Sequence, residues 1–79
     1  MREARIENTL KVERAKKNWT QEQLASEIGV TRKTVNAIEK GRDEPSVYLA
    51  LRLAKVLGAS VEQLFKLKED QIWGRSPFD

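Results

Sequence analysis

The chain has no cysteine and no histidine. Without cysteine it forms no disulfide and offers no thiolate to a metal. Without histidine it lacks the commonest metal ligand and the commonest general base. It holds only two prolines and four glycines, and no low-complexity linker or internal repeat divides it, so residues 1–79 read as one domain. No apolar run approaches the roughly 20 residues that span a bilayer, and nothing has the layout of a signal peptide; the expected compartment is the reducing cytoplasm. A glycine-rich phosphate loop is absent too, and Glu13, Glu22 and Glu27 read as solvated helix positions. No nucleophile–base pair can be assembled, so no enzyme, cofactor, metal or small-molecule ligand is expected. At 79 residues, the chain buries only about 60% of its unfolded surface, and its core must be economical.

What is present centres on Gln21 to Lys40, QEQLASEIGVTRKTVNAIEK. Leu24, Ala25 and Ile28 fall on one side of a helix, Gly29 breaks the pattern, and Val30, Val35 and Ile38 resume it on a second helix. Thr20 and Thr31 stand where a hydroxyl caps free backbone N–H groups. Two helices joined by a tight glycine turn form a helix-turn-helix unit, whose second helix enters the DNA major groove. Charge agrees with this placement. Residues 31 to 42 hold Arg32, Lys33, Lys40 and Arg42 against Glu39 alone, a local +3 equal to the net charge of the whole chain. A basic patch on an otherwise balanced body is the footprint of a nucleic-acid binder.

Taken in order, Leu10 to Lys17 predicts a first helix capped by Asn8 or Thr9, with Leu10, Val12 and Ala15 apolar and Trp19 packed beneath. The second helix spans Gln21–Ile28, opened by a Thr20/Gln23 capping box and ended by Gly29 in a left-handed conformation. The third spans Arg32–Lys40 and stops at Gly41. After the polar turn to Pro45, Ser46 caps a fourth helix, Val47–Leu57, whose apolar face is expected to comprise Val47, Ala50, Leu51, Leu53, Ala54 and Leu57. Ser60 with Gln63 opens a short fifth helix through Val61, Leu64 and Phe65. Phe65 to Lys68 then alternates apolar and basic residues, the period of a strand, and its one candidate partner is Arg5 to Asn8. A small antiparallel ribbon between the two ends follows. Residues 66–79 read as this strand and a tail whose Ile72, Trp73 and Phe78 fold onto the body, join a subunit interface, or fray.

Thr20-Gln21-Glu22-Gln23-Leu24-Ala25, Gly29-Val30-Thr31-Arg32, Ile38-Glu39-Lys40-Gly41 and Pro45-Ser46 together resemble the lambda Cro and phage-repressor type of helix-turn-helix regulator, also called the xenobiotic-response-element family. The resemblance covers about residues 10–65, the expected DNA-binding core, and implies an all-α, five-helix, lambda-repressor-like fold. It also implies roles. Arg32, Lys33, Asn36 and Ala37 fall where such proteins present side chains to bases, and Gln21, Thr31 and Thr34 fall beside the DNA backbone. Side-chain chemistry suits the base contacts: Arg or Lys donates to guanine, Asn pairs with adenine and Ala meets a thymine methyl. A helix N-terminus under Gln21 favours an anion, and Lys40 and Arg42 should meet phosphate. Arg14 and Glu39 match a buried structural salt bridge of phage repressors. Glu13 departs from the usual leucine in the first helix, with Val12 expected to compensate.

The function implied is a sequence-specific, double-stranded DNA-binding transcriptional repressor. It would act as a homodimer on a palindromic operator, since one recognition helix reads only a few base pairs. The dimer surface is expected around Leu64, Phe65 and Leu67. The alternative is an antitoxin-like or adaptor module that uses the same fold to bind another protein.

Overall fold

A computed structural model describes residues 5–68 in the order β1 (Ile6–Asn8), α1 (Leu10–Lys16), α2 (Gln21–Ile28), α3 (Arg32–Glu39), α4 (Val47–Leu57), α5 (Val61–Leu64) and β2 (Phe65–Leu67). Side-chain caps set most of the helix starts. Thr20 Oγ1 accepts from Gln23 N at 3.0 Å, and Gln23 Oε1 accepts from Thr20 N at 2.7 Å, closing a capping box at α2. Ser60 and Gln63 do the same at α5, at 3.1 and 2.8 Å. Thr31 caps α3 through Thr34 N, and Ser46 caps α4 through Leu49 N. Each cap satisfies an N–H that the helix itself leaves orphaned, worth about 1 kcal/mol. At α1 the two candidate caps divide the work: Asn8 Oδ1 accepts from Leu10 N at 3.1 Å, while Thr9 Oγ1 turns away to donate to Gln63 O.

Gly29 ends α2 at φ 76°, and beyond its two chain neighbours no residue lies within 4 Å of where a Cβ would stand. Glycine is needed there for its left-handed backbone and not for space. Beyond α3, Gly41 N donates to Ile38 O, and the N–H groups of Arg42 and Asp43 both reach Ala37 O, at 2.9 and 3.3 Å. This wrap folds the 41–43 turn back along the end of α3.

The two ends of the described segment meet in an antiparallel ribbon in the register Ile6↔Leu67, Glu7↔Lys66, Asn8↔Phe65. Arg5 continues the clasp by an ion pair with Glu44 at 2.6 Å. The hydrogen bond and charge of that carboxylate raise the guanidinium pKa above its ordinary value. Asn8 Nδ2 donates to Ile38 O at 2.9 Å, tying the ribbon to the end of α3.

The core is aliphatic: Leu10, Leu24, Ala25, Ile28, Val35, Ile38, Leu53, Leu57 and Leu64 are all buried. Burying one leucine, isoleucine or valine side chain contributes about 1.5–3 kcal/mol. Ala25 is among them because a small side chain lets α2 and α3 approach closely. Trp19 is half-buried against this core, as expected.

Two packing expectations fail. The expected apolar face of α4 is split: Leu53 and Leu57 are buried, whereas Val47 and Leu51 are 78% and 57% exposed. At 100° per residue, Val47, Tyr48 and Leu51 fall within an arc of about 100° on the side away from Leu53 and Leu57. Val12 does not compensate for Glu13, being 56% exposed; Glu13 instead pairs with Lys16 one turn on. No helix among the described residues is long and apolar enough to cross a membrane. Ile72, Trp73 and Phe78 lie outside the described residues.

Candidate nucleic-acid interface

The inward stripe of α3, Val35 and Ile38, is buried against the core, which turns the rest of that helix outward. Arg32 and Lys33 are exposed, and Thr34, Asn36 and Ala37 are half-buried. An open concavity of about 440 Å³ runs along this side, lined by Thr31, Lys33, Thr34, Asn36, Ala37, Arg42 and Asp43. It brings together three of the four residues expected to meet bases and three of the five expected to meet phosphate. Arg32 stands exposed beside it at the first position of α3. Lys40 is exposed beyond the helix and borders a separate groove of about 250 Å³ with Glu7, Asn8 and Lys68.

The electrostatics of this surface are predominantly cationic, with Asp43 the one acid among the lining residues. Arg32, Lys33, Lys40 and Arg42 have no ion-pair partner among the described residues. Arg32 and Lys33 also occupy the first turn of α3, where no acidic residue balances them. That end carries the positive pole of the helix dipole, so a cation there costs about 0.3–1 kcal/mol in the free protein. An arriving anion reverses the sign of that term.

Gln21 opens α2, but its amide is engaged inside the protein. Nε2 donates to Glu39 Oε1 at 3.0 Å, and Oε1 accepts from Asn36 Nδ2 at 3.3 Å. Glu39 is held in turn by Arg14. Nε meets Oε2 at 2.8 Å and Nη2 meets Oε1 at 3.3 Å, while Arg14 Nη1 donates to Trp19 O at 2.7 Å. The side chains of Arg14 and Glu39 are 14% and 4% exposed. Glu39 therefore adds little negative charge to the outward face, because its carboxylate is enclosed and paired.

Of the residues expected at a dimer surface, Leu64 has no exposed area and belongs to the protomer's own core. Its side chain cannot meet a second copy. Alternation along α5 and β2 turns it inward, leaving Phe65 half-buried and Leu67 54% exposed. Two residues at this site escaped sequence reasoning. Asp43 lines the basic concavity because the turn after Gly41 wraps back onto α3; an acid directly after Arg42 was the available signal. Asn8 fixes the end of α3 from the far terminus, and nothing local marked that contact.

Comparison with known proteins agrees with this architecture. A helix-turn-helix family model matches residues 10–64. An uncharacterised HTH-type transcriptional regulator of Methanocaldococcus jannaschii is 46% identical over 66 residues, 84% of this chain and 100% of the relative. The HTH-type transcriptional regulator YgzD of Bacillus subtilis is 43% identical over 65 residues, 82% of this chain and 98% of the relative. Among solved structures, the restriction-modification controller protein C.AhdI from Aeromonas hydrophila superposes with a TM-score of 0.64 at 31% identity, covering 68% of this chain and 82% of that one. With five helices, a terminal ribbon and the glycine-hinged α2–α3 pair all in place, the chain belongs to the helix-turn-helix family of the Cro and phage-repressor type.

Proposed function

We propose that this protein is a sequence-specific transcriptional regulator, a repressor that acts in the cytoplasm as a homodimer on a palindromic DNA operator. The observation that carries the reading is the cationic start of α3: Arg32 and Lys33 stand exposed, with no ion-pair partner among the described residues, at a helix pole that disfavours them, beside an open concavity. An arrangement that costs stability in the free protein becomes favourable against a polyanion. Arg32, Lys33, Asn36 and Ala37 would face base edges in the major groove, and Thr31, Thr34, Lys40, Arg42 and the start of α2 at Gln21 would meet phosphates. The relatives named as transcriptional regulators support the same role. Two-fold pairing would place two copies of α3 about one helical turn of DNA apart. Leu67 and Phe65 remain available for that pairing.

Selection of bound sequences from random duplexes, followed by footprinting, tests the proposal. The expected result is one inverted repeat with half-sites about 10 base pairs apart. Recovery of unrelated sequences with no common motif would overturn it.

A further inference from the structure

Gln21 is wedged between a buried charge and the reading face of α3. Its two amide ends have nearly the same shape and opposite chemistry, so its neighbours decide which way it points. Glu39, ionised against Arg14, only accepts hydrogen bonds. Gln21 must therefore turn Nε2 toward it, which leaves Oε1 facing α3. Only a donor satisfies that oxygen, and Asn36 supplies one from Nδ2 at 3.3 Å. The chain of orientation runs outward from an enclosed carboxylate, 4% exposed, to a side chain that lines the concavity.

We infer that Glu39 and Gln21 are positioning residues that fix the amide orientation of Asn36 and so set the base it accepts. The inference rests on the base-reading role proposed for Asn36. With one Nδ2 proton committed to Gln21, Asn36 retains one donor and its Oδ1 acceptor. That pair matches the N7 acceptor and the N6 amino donor of adenine. Rotating the amide to suit another base would point Oδ1 at Gln21 Oε1, two acceptors facing each other. Relieving that clash by turning Gln21 would face its oxygen toward the Glu39 carboxylate. Each wrong orientation therefore breaks a hydrogen bond inside the protein as well as at the DNA. Gln21 Nε2 keeps a second proton, free for a phosphate, so positioning and anchoring are separable on one side chain.

Geometry explains how residues so far apart in sequence form this relay. Asn36 and Glu39 are three apart on α3 and share a stripe, and Gln21, at the start of α2, reaches both. Arg14 comes from α1 to hold the inner end.

The test uses Gln21→Met in the full chain, which keeps length and helix propensity and removes both amide ends. Binding is measured by fluorescence anisotropy on the selected duplex and on its three single-base-pair variants at the position where Asn36→Ala most reduces preference. Gln21→Met should lower the preference for adenine there by roughly fivefold, the worth of one net hydrogen bond. Preference at the base pair read by Arg32 should stay as in wild type. Adding Gln21→Met to Asn36→Ala should cause no further loss of preference. In the free protein, the Asn36 side-chain amide should lose order by ¹⁵N relaxation in Gln21→Met. Uniform weakening on every duplex, with wild-type preferences and an unchanged Asn36 amide, would overturn the relay and leave Gln21 as a phosphate anchor. A wild-type protein with no base preference at this position would overturn the reading role of Asn36 as well, a distinguishable result.

Discussion

Arg14→Met is the perturbation whose cost follows most directly from the structure. It removes two hydrogen bonds to Glu39, at 2.8 and 3.3 Å, and the one to Trp19 O at 2.7 Å. What remains is a carboxylate 4% exposed with Gln21 Nε2 as its donor. Breaking a buried pair from one side costs about 3–5 kcal/mol, because the stranded charge keeps its desolvation penalty. A domain of this size has a total stability of roughly 4–12 kcal/mol, so the single substitution should remove about a quarter or more. In urea, with a slope of about 1 kcal/mol per molar, the midpoint should fall by about 3–5 M. Arg14→Met combined with Glu39→Leu strands no charge and should recover to within about 2 kcal/mol of wild type. The cycle would then show a coupling of at least about 2 kcal/mol between the two positions. A loss under about 1 kcal/mol in Arg14→Met, the worth of an exposed pair, would refute the enclosed-pair reasoning. So would a double variant as unstable as the two single losses added together.

Lys33→Glu should stabilise the free protein by about 0.5–1 kcal/mol, by placing an anion at the positive pole of α3, while weakening DNA binding severely. Thermal unfolding and gel shift measure the two effects, and a destabilised variant would contradict the dipole argument. Leu64→Ala should cost about 2–5 kcal/mol as a core truncation. Leu67→Asp, at a 54% exposed position, should leave monomer stability nearly unchanged and shift sedimentation toward monomer. Unaltered self-association in Leu67→Asp would remove β2 from the dimer surface.

The parts of this fold that were legible in sequence are those set by local chemistry. Thr20 with Gln23 and Ser60 with Gln63 specify helix starts within four residues of chain, and Gly29 specifies the hinge by its backbone alone. The ribbon was legible too, because Phe65 to Lys68 has a strand period and only one segment could pair with it. Positions that depend on what packs from elsewhere were misjudged. Val47 and Leu51 looked like core, yet they sit on the side of α4 turned from Leu53 and Leu57. Leu64 looked available and is enclosed. Within the proposed interface, the outward placement of Arg32 and Lys33 on α3 was readable from helix position, since Val35 and Ile38 take the buried stripe. The bond from Gln21 to Asn36 was not, because it spans two helices and depends on an amide orientation set by a third residue. Asp43 was missed for a similar reason: its place follows from the backbone wrap onto Ala37 O, a tertiary consequence of where α3 stops.

In the proposed complex α3 reads bases, while Lys40 beyond it only anchors the DNA backbone. Titrating Arg32→Ala and Lys40→Ala against the selected duplex and a random one, across salt concentrations, tests this division most directly. Arg32→Ala should lose about 1–3 kcal/mol on the selected duplex, with a much smaller loss on the random one and relaxed preference at one position. Lys40→Ala should lose similar affinity on both, with the logarithmic salt slope reduced by about 1. Equal losses on both duplexes for Arg32→Ala would contradict base reading by α3.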